Sequence, residues 1–366
     1  MLVQTPLHYL LVWLTIQPFD PAASAVLVRL PSAVAGALTP LVVYGLGKET
    51  FGRAQGLLAA LMVAVSAVHI GHSQDVRPYT LLVLLSALSL YSLLKAEKTG
   101  QAGWWAVFTF VTILDLHFSY FALTLFLPAL AIYLLWIIYK SWVKRSSESA
   151  ALRNALLSFG AIALASTPLL LDLLQLHRTT PNWEVFFDIV GRQVALLPAR
   201  LAPLGIAGSM EEAIQWGFGV LAIVGALTAV QQKKSKAVLL CVLMILIPAL
   251  LLAVFRTSNI VFQRYALFAM PFYFLLLANG VVFLWRIRPT IQITTEPPRR
   301  QERQLPAKIL WGLRITNYVG GAVGTLLLLL FAYSSFLYFS PEQHRRLSFL
   351  PDYRGVASYL TQQAGP

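Results

Sequence analysis

The sequence has few charged residues and a single cysteine. Asp, Glu, Lys and Arg make up 12% of its 366 residues, whereas about 25% is usual in a soluble domain. So small a polar share does not cover the surface of a water-soluble globule. Cys241 has no second cysteine to pair with, which excludes an internal disulfide, and no Cys/His spacing typical of a metal site is present.

The motifs that mark common soluble enzymes are also missing. The sequence contains no P-loop, no G-x-G-x-x-G after a predicted strand, no G-x-S-x-G and no H-E-x-x-H. Soluble nucleotide-dependent and hydrolytic enzymes are therefore not supported as classes for this chain.

Long hydrophobic runs take the place of those features. Hydrophobic residues make up 58% of the chain, and the mean hydropathy is +0.69. Runs of about 20 apolar residues are typical of membrane-spanning helices, and they are too long for the strands of a β-barrel. We therefore predict an all-α, polytopic transmembrane protein with about ten spans: 25–47, 54–70, 77–95, 103–117, 119–139, 154–173, 213–230, 237–255, 265–285 and 312–338.

The distribution of basic residues predicts the orientation of this bundle. One side receives 18 of the 28 Lys and Arg residues, including every lysine, and five of the 15 acidic residues. This side carries the whole formal net charge of +13, and the positive-inside rule makes it cytoplasmic. The excess charge is explained by topology and by contact with anionic membrane lipids, so we expect no nucleic-acid partner.

Three regions follow from this layout. Residues 1–24 form an extracytoplasmic segment, in which 4–19 is short and contains Pro6, His8 and Pro18, a composition that suits an interfacial or re-entrant helix. Residues 25–339 form the transmembrane domain. It includes the Pro- and Arg-rich cytoplasmic loop 286–311, while 340–366 begins an extracytoplasmic C-terminal region.

The richest polar cluster is the sequence H-I-G-H-S-Q-D-V-R-P-Y, residues 69–79, at a predicted non-cytoplasmic turn. Ionisable residues at membrane depth are candidates for function. Asp75 is suited either to capping the following helix or to a role in a polar site. The guanidinium of Arg77 is suited to binding a phosphate through two parallel hydrogen bonds, or it reaches the lipid headgroups as an interfacial anchor.

Other polar residues are predicted on the same side of the membrane. His117 and Tyr120 lie at a turn near 115–120, where a histidine either takes part in a site or forms hydrogen bonds at the interface. Arg264 and Tyr265 begin the helix 265–285 and suit either phosphate binding or anchoring of that helix. Gln4 and His8 lie at the entry to the segment 4–19.

The order and sidedness of several motifs resemble one known family. The chain is similar to the dolichyl-phosphate-mannose protein mannosyltransferase-like group, which is glycosyltransferase family 39 in the broad sense, with its aminoarabinose transferase-like members. The similar segments are P-L-H-Y-L-L (6–11), V-R-L-P-S-A-V-A-G (28–36), F-G-R-A-Q-G-L-L (51–58), H-S-Q-D-V-R-P-Y-T-L-L (72–82), L-H-F-S-Y-F-A-L (116–123), Q-R-Y-A-L-F-A-M-P-F (263–272) and P-D-Y-R-G-V-A-S-Y-L (351–360).

The resemblance implies the GT-C membrane fold and an inverting sugar transfer. The donor would be a polyprenyl-phosphate sugar, and the acceptor a protein, lipid or glycan outside the cytoplasm of a bacterial inner or plasma membrane. It implies no cofactor or metal-ligand set, and it leaves a divalent cation open. Asp75 would be the catalytic candidate of this chain, and the donor phosphate and substrate would be bound by Arg77, Arg264, Gln4, His8, His72, Gln74, Tyr79, His117, Tyr120 and Tyr265.

The chain departs from the family pattern at its start. Relatives carry their main catalytic acid, often Asp-Glu, in a first extracytoplasmic loop that would lie upstream of Met1, so we expect the chain to be a fragment. Gln4 stands where relatives often have His or Lys, Thr5 replaces Pro, and Leu116 replaces Thr before His117.

Two other classes of membrane protein share many of these features. A transporter or lipid-sugar flippase has a similar helix count, but it more often shows a repeated half and broken helices at mid-membrane. A non-catalytic membrane scaffold is the third alternative. The gathering of ionisable residues at the outer helix ends favours the glycosyltransferase.

Overall fold

The predicted all-α class is confirmed in the part of the chain that the structure describes. A computed structural model describes residues 6–16, 25–143, 149–176, 209–254 and 266–286, with the helical positions 322, 325, 326, 329, 330 and 333. No strand occurs within these ranges. The helices are α1 (Pro6–Ile16), α2 (Ala25–Thr50), α3 (Arg53–Ala64), α4 (Ala67–Ser73), α5 (Tyr79–Thr99), α6 (Ala102–Phe118), α7 (Leu127–Val143), α8 (Ser149–Leu176), α9 (Ser209–Gln231), α10 (Ser235–Val254) and α11 (Met270–Arg286).

Two short turns of other helical types precede two of these helices. A π-helical turn, Ala122–Phe126, runs directly into α7, and a 3-10 turn, Ala266–Ala269, runs into α11. The predicted segments from 25 to 285 each coincide with one of these helices or with a joined pair. The last predicted span, 312–338, lies almost wholly outside the described residues.

The lengths of the helices fit a polytopic membrane protein. Among the described residues, six helices are long and apolar enough to cross a bilayer, or seven if the bent pair α3–α4 counts as one span. The helices α1 and α6 and the part Ser235–Leu251 of α10 are apolar but shorter than the length that this count requires. With eleven residues, α1 extends about 16 Å, which is about half the hydrocarbon thickness of a bilayer.

The predicted span 54–70 is divided in the structure. The chain forms two helices, α3 and α4, which are bent by 60° at the break between them. The side chain of Ser66 accepts a hydrogen bond from the backbone N–H of His69 and so caps α4. A serine at an N-cap starts a new helix by pairing with an otherwise unpaired N–H, and the apolar residues on both sides of Ser66 hide this break from a hydropathy analysis.

A seam of buried polar side chains joins α5 and α6. The Ser86 hydroxyl donates to Oδ2 of Asp115 at 2.6 Å, and the hydroxyls of Ser89 and Thr112 are 2.6 Å apart one turn further on. All four residues are fully buried. Because buried polar groups are costly unless they are hydrogen-bonded, these pairs fix the register of the two helices.

Ion pairs join the helices at the end of the bundle that the charge pattern predicts to be cytoplasmic. Glu49 at the end of α2 accepts from Lys95 at 2.6 Å and from Lys98 at 2.9 Å, both on the last turns of α5. Glu97 of α5 pairs with Lys236 at the start of α10 at 2.6 Å. The opposite end of the bundle therefore carries the start of α5 and the turn that precedes it.

Candidate functional site

The turn between α4 and α5 brings together four of the predicted site residues. Helix α4 ends at Ser73 and α5 begins at Tyr79. We call His72, Asp75, Arg77 and Tyr79 the turn cluster. Because only five residues separate the two helices, the side chains of the turn cluster share a small region at one end of the bundle.

Arg77 is at the centre of the turn cluster. Its Nη1 donates to the Tyr79 hydroxyl at 3.3 Å, and its Nε lies 3.9 Å from Oδ2 of Asp75. The ring of His72 packs edge-on against Tyr79 with centroids 5.2 Å apart. His72 and Tyr79 are buried, whereas the side chain of Arg77 is 25% exposed. The cluster thus consists of two buried aromatic rings, His72 and Tyr79, with the partly accessible guanidinium of Arg77 beside them.

The backbone of Arg77 is held by α2. The Ser32 hydroxyl donates to the carbonyl oxygen of Arg77 at 3.1 Å, and the Thr80 hydroxyl donates to the carbonyl oxygen of Ser32 at 3.1 Å. Ser32 and Thr80 are buried. This reciprocal pair of hydrogen bonds fixes the position from which the Arg77 side chain extends, and it joins residues 45 positions apart.

Helix α4 packs closely on α2 just below the turn. Nε2 of His69 lies 3.1 Å from the carbonyl oxygen of Gly36, and because a carbonyl only accepts, Nε2 carries the proton. A Cβ atom on Gly36 would lie 2.7 Å from Cβ of Ser73 and still closer to its hydroxyl. Glycine at position 36 is therefore required for this contact.

His8 packs on the same turn from α1. Its side chain is fully buried, and neither ring nitrogen has a hydrogen bond of good geometry to a described residue. The ring lies close to the backbone of Val76, between Asp75 and Arg77 in sequence, and this contact partly offsets burial, which lowers the pKa of His8 below its usual value. A His8 ring that favours the neutral form thus lies beside the backbone of the turn.

His117 lies at the end of α6 and faces a separate apolar groove. Its Nδ1 is 2.8 Å from the carbonyl oxygen of Ile113, one turn back. The groove has a volume of about 530 Å³. It is formed by α1, α6 and α8 and is lined by Leu7, Leu10, Phe110, Ile113, Leu114, His117 and Leu169. Leu7 and His8 are consecutive residues of α1. Leu7 lines this groove, and His8 lies close to the turn.

Tyr120 lies between α6 and the π-helical turn. It is half-buried against the main apolar core, and its carbonyl oxygen accepts from Thr124 at 3.0 Å. π-Helical turns are frequent at functional sites, although this one also packs against the core.

The remaining predicted site residues have other places or lie outside the described ranges. Gln74 is the C-cap of α4, and its backbone N–H donates to Gly71 at 3.1 Å. Pro78, rather than Asp75, occupies the N-cap position of α5. Gln4, Arg264 and Tyr265 lie outside the residues that the structure describes.

Two residues that shape the site lie in segments that the sequence analysis singled out, but they were not among its candidate site residues. Ser32 holds Arg77, and His69 anchors α4 to α2. Ser32 belongs to the R-L-P-S segment of the family resemblance, so that segment was a signal for it. For His69 the signal was weaker, because a histidine among apolar residues fits many structural roles.

No metal site emerges in the described part of the chain. Within it, no three His, Cys, Asp or Glu side chains are grouped closely enough to hold a metal ion.

The fold and the site define an all-α, polytopic membrane protein with a polar cluster at one end of its helices. The family model for dolichyl-phosphate-mannose-protein mannosyltransferases matches residues 3–168, which include α1 to α7, most of α8 and the turn cluster. Through that region, which is just under half of the chain, the protein is similar to this mannosyltransferase family, and the similarity supports a membrane glycosyltransferase of the GT-C type. Comparison with curated proteins found no match to the chain.

Proposed function

We propose that the chain transfers a sugar from a polyprenyl-phosphate donor to an acceptor on the extracytoplasmic side of the membrane, with inversion at the anomeric carbon. The observation that carries the proposal is Arg77, a partly exposed guanidinium with a fixed backbone inside the region that matches the family. The predicted sidedness, with net positive charge at the opposite end of the bundle, supports an outward-facing site.

Arg77 binds the phosphate of the donor in this proposal. A guanidinium donates two parallel hydrogen bonds to a phosphate and stays charged at any physiological pH. Its Nη1 donates to the Tyr79 hydroxyl, and a guanidinium carries five N–H donors in all. During transfer the phosphate leaves with the electron pair of the bond to the sugar, so a nearby cation stabilises charge that develops in the transition state.

Asp75 is the carboxylate of the turn cluster that stands nearest to this phosphate site. Its 3.9 Å separation from Arg77 is a loose ion pair, and a carboxylate has about four acceptor positions in all. In the proposed reaction a carboxylate accepts the proton of the acceptor hydroxyl while that oxygen bonds to the anomeric carbon. We assign Asp75 a part in this step as the carboxylate of the turn cluster nearest to Arg77.

The apolar groove beside His117 supports a lipid-linked donor. It is lined by leucine, isoleucine and phenylalanine from α1, α6 and α8, and it suits part of a polyprenyl chain. Leu7 lines the groove, and the adjacent His8 packs against the backbone of Val76 in the turn. A donor with its phosphate at Arg77 and its tail along α1 would therefore contact both regions.

A photo-cross-linking experiment tests this assignment. A polyprenyl-phosphate sugar with a photoreactive group on its tail is irradiated with the full chain in vesicles, and the labelled peptides are mapped. We expect labelling at α1, α6 and α8 that unlabelled donor competes away. Arg77→Gln should weaken donor affinity about 10- to 100-fold, as expected for the loss of charge-assisted hydrogen bonds.

Lys233→Gln is the matched control, because it removes one exposed charge at the other end of the bundle. It should leave competition unchanged. Labelling that free donor does not displace, or equal affinity in Arg77→Gln and the wild type, would contradict donor binding at this site.

A further inference from the structure

A second apolar groove lies between α2 and α3, away from the turn cluster. The two helices are antiparallel and are joined at Phe51 and Gly52. They touch backbone to backbone near this joint, since a Cβ on Gly56 would lie 2.7 Å from the carbonyl oxygen of Tyr44. Gly47 opposes Gly56 in the same way. The joint therefore closes one end of the groove.

Small side chains on α3 leave the groove open along its length. Its volume is about 510 Å³. It is lined by Pro40, Leu41, Tyr44, Arg53, Ala54, Leu57, Ala60, Leu61 and Ala64. Leu41 is 67% exposed and Leu57 is 56% exposed, so the walls face outward. In a membrane protein this apolar surface contacts acyl chains or another apolar segment.

The length of the groove corresponds to one leaflet. From Arg53 to Ala64, α3 rises about 16 Å, which is about half of a hydrocarbon core of about 30 Å. An acyl chain that begins at the level of Arg53 would therefore follow α3 to the middle of the bilayer.

Two cations are close in sequence to the joint that closes the groove. Arg53 lines it and is exposed, and Lys48 is exposed on the last turn of α2. The neighbouring carboxylate, Glu49, is already bonded to Lys95 and Lys98 at 2.6 and 2.9 Å. In the described part of the chain, neither Lys48 nor Arg53 forms an ion pair. Positive charge beside an apolar groove is complementary to an anionic lipid headgroup.

We infer that the α2–α3 groove binds one anionic phospholipid of the leaflet at the basic end of the bundle. Its phosphate contacts Arg53 and Lys48, and one acyl chain lies along Leu41, Leu57 and Leu61. Tyr44 lines the same wall, and a tyrosine suits the interfacial part of a lipid. A second apolar helix would cover the walls equally well, but it would give the two cations no counter-charge.

This inference does not rest on the proposed function, because the groove lies at the end of the bundle opposite to the turn cluster. The anionic lipid would hold the α2–α3 joint, and α2 also carries Ser32, which fixes Arg77.

Spin-label lipid binding tests the inference. The full chain is reconstituted in phosphatidylcholine vesicles with spin-labelled phosphatidylglycerol or spin-labelled phosphatidylcholine, and the immobilised fraction gives their relative association. We expect the wild type to prefer phosphatidylglycerol. Arg53→Gln and Lys48→Gln should each reduce that preference about fivefold, as expected for about 1 kcal/mol per surface cation, while Lys233→Gln should leave it unchanged.

Two outcomes would overturn the inference. One is a lack of specificity, seen either as equal association of the two lipids with the wild type or as an equal loss of preference in the Lys233→Gln control. The other comes from a photoreactive amino acid at Leu57. Cross-links to residues 312–338 or to a second copy of the chain, in place of lipid, would show that protein fills the groove, whereas cross-links to phosphatidylglycerol support the proposal.

Discussion

The hydroxyl of Ser32 on α2 donates a hydrogen bond to the carbonyl oxygen of Arg77 in the turn before α5, at 3.1 Å. Thr80 returns a hydrogen bond to the backbone of Ser32 at the same distance. A helix from the start of the domain thus fixes the backbone of the residue that we propose as the phosphate-binding group. The relationship explains how a turn of five residues positions a flexible side chain.

Ser32→Ala should weaken donor binding while costing little stability. Removing one buried hydrogen bond costs about 1 kcal/mol of the free energy of unfolding, and it also releases the backbone that carries Arg77. We expect a several-fold increase in the dissociation constant for a polyprenyl-phosphate sugar, measured by cross-linking competition.

Ser166→Ala is the matched control for this variant. Ser166 is buried, and its hydroxyl bonds within its own helix to Ile162 at 2.6 Å. It should change thermal stability to a similar small degree and leave donor affinity unchanged. Equal donor affinity in Ser32→Ala and Ser166→Ala would mean that the α2 contact does not position Arg77.

The packing of α1 should weaken in mild acid because of His8. Burial lowers the pKa of His8 from its usual value of 6.5, so the folded state binds the proton less well than the unfolded state. The stabilising effect of the neutral ring is complete above about pH 6.5 and is lost as the pH falls toward the lowered pKa of the folded state. Asp75 and Arg77 flank the Val76 backbone that the His8 ring contacts. The ring of Tyr9 packs edge-on against the His8 ring, with ring centroids 5.8 Å apart.

Thermal unfolding in detergent at pH 7.5 and pH 5.5 measures this effect. The wild type should lose more stability on acidification than His8→Phe, which keeps an aromatic ring and cannot be protonated. An equal loss in the two proteins would show that His8 does not control the docking of α1.

The helices of this protein were largely predictable, because apolar runs of sufficient length have few alternatives in a membrane. The break at Ser66 was not predictable, because hydropathy stays high across it and a single polar residue determines where α4 begins. The proximity of His72, Arg77 and Tyr79 followed from the short turn. The contacts of His8 with Val76 and of Ser32 with Arg77 could not be predicted, because they depend on how distant helices pack.

Asp115 should tolerate asparagine better than leucine. The Ser86 hydroxyl donates to Asp115 at 2.6 Å in a fully buried position, where a charge is expensive and a neutral acceptor suffices. Asp115→Asn keeps an acceptor and should cost little stability. Asp115→Leu leaves the Ser86 hydroxyl without its partner and should cost about 1–3 kcal/mol of the free energy of unfolding.

The double variant Ser86→Ala with Asp115→Leu provides the check on this explanation. Replacing both partners removes the unpaired hydroxyl, so stability should recover part of the loss seen in Asp115→Leu alone. Thermal unfolding of the four proteins gives the comparison. If asparagine is as damaging as leucine, the hydrogen bond to Ser86 is not the reason that an acidic residue stands at position 115.

The central claim, that Arg77 holds the phosphate of a lipid-linked sugar donor, is tested most directly by a transfer assay in membranes. Radiolabelled polyprenyl-phosphate sugars are supplied to this chain, to a form extended to the next in-frame upstream start, and to Arg77→Ala and Lys233→Ala in the active form. We predict transfer that Arg77→Ala abolishes without loss of membrane insertion and that Lys233→Ala leaves unchanged. Undiminished transfer by Arg77→Ala, or no transfer by either form with any of several sugars, would contradict the claim.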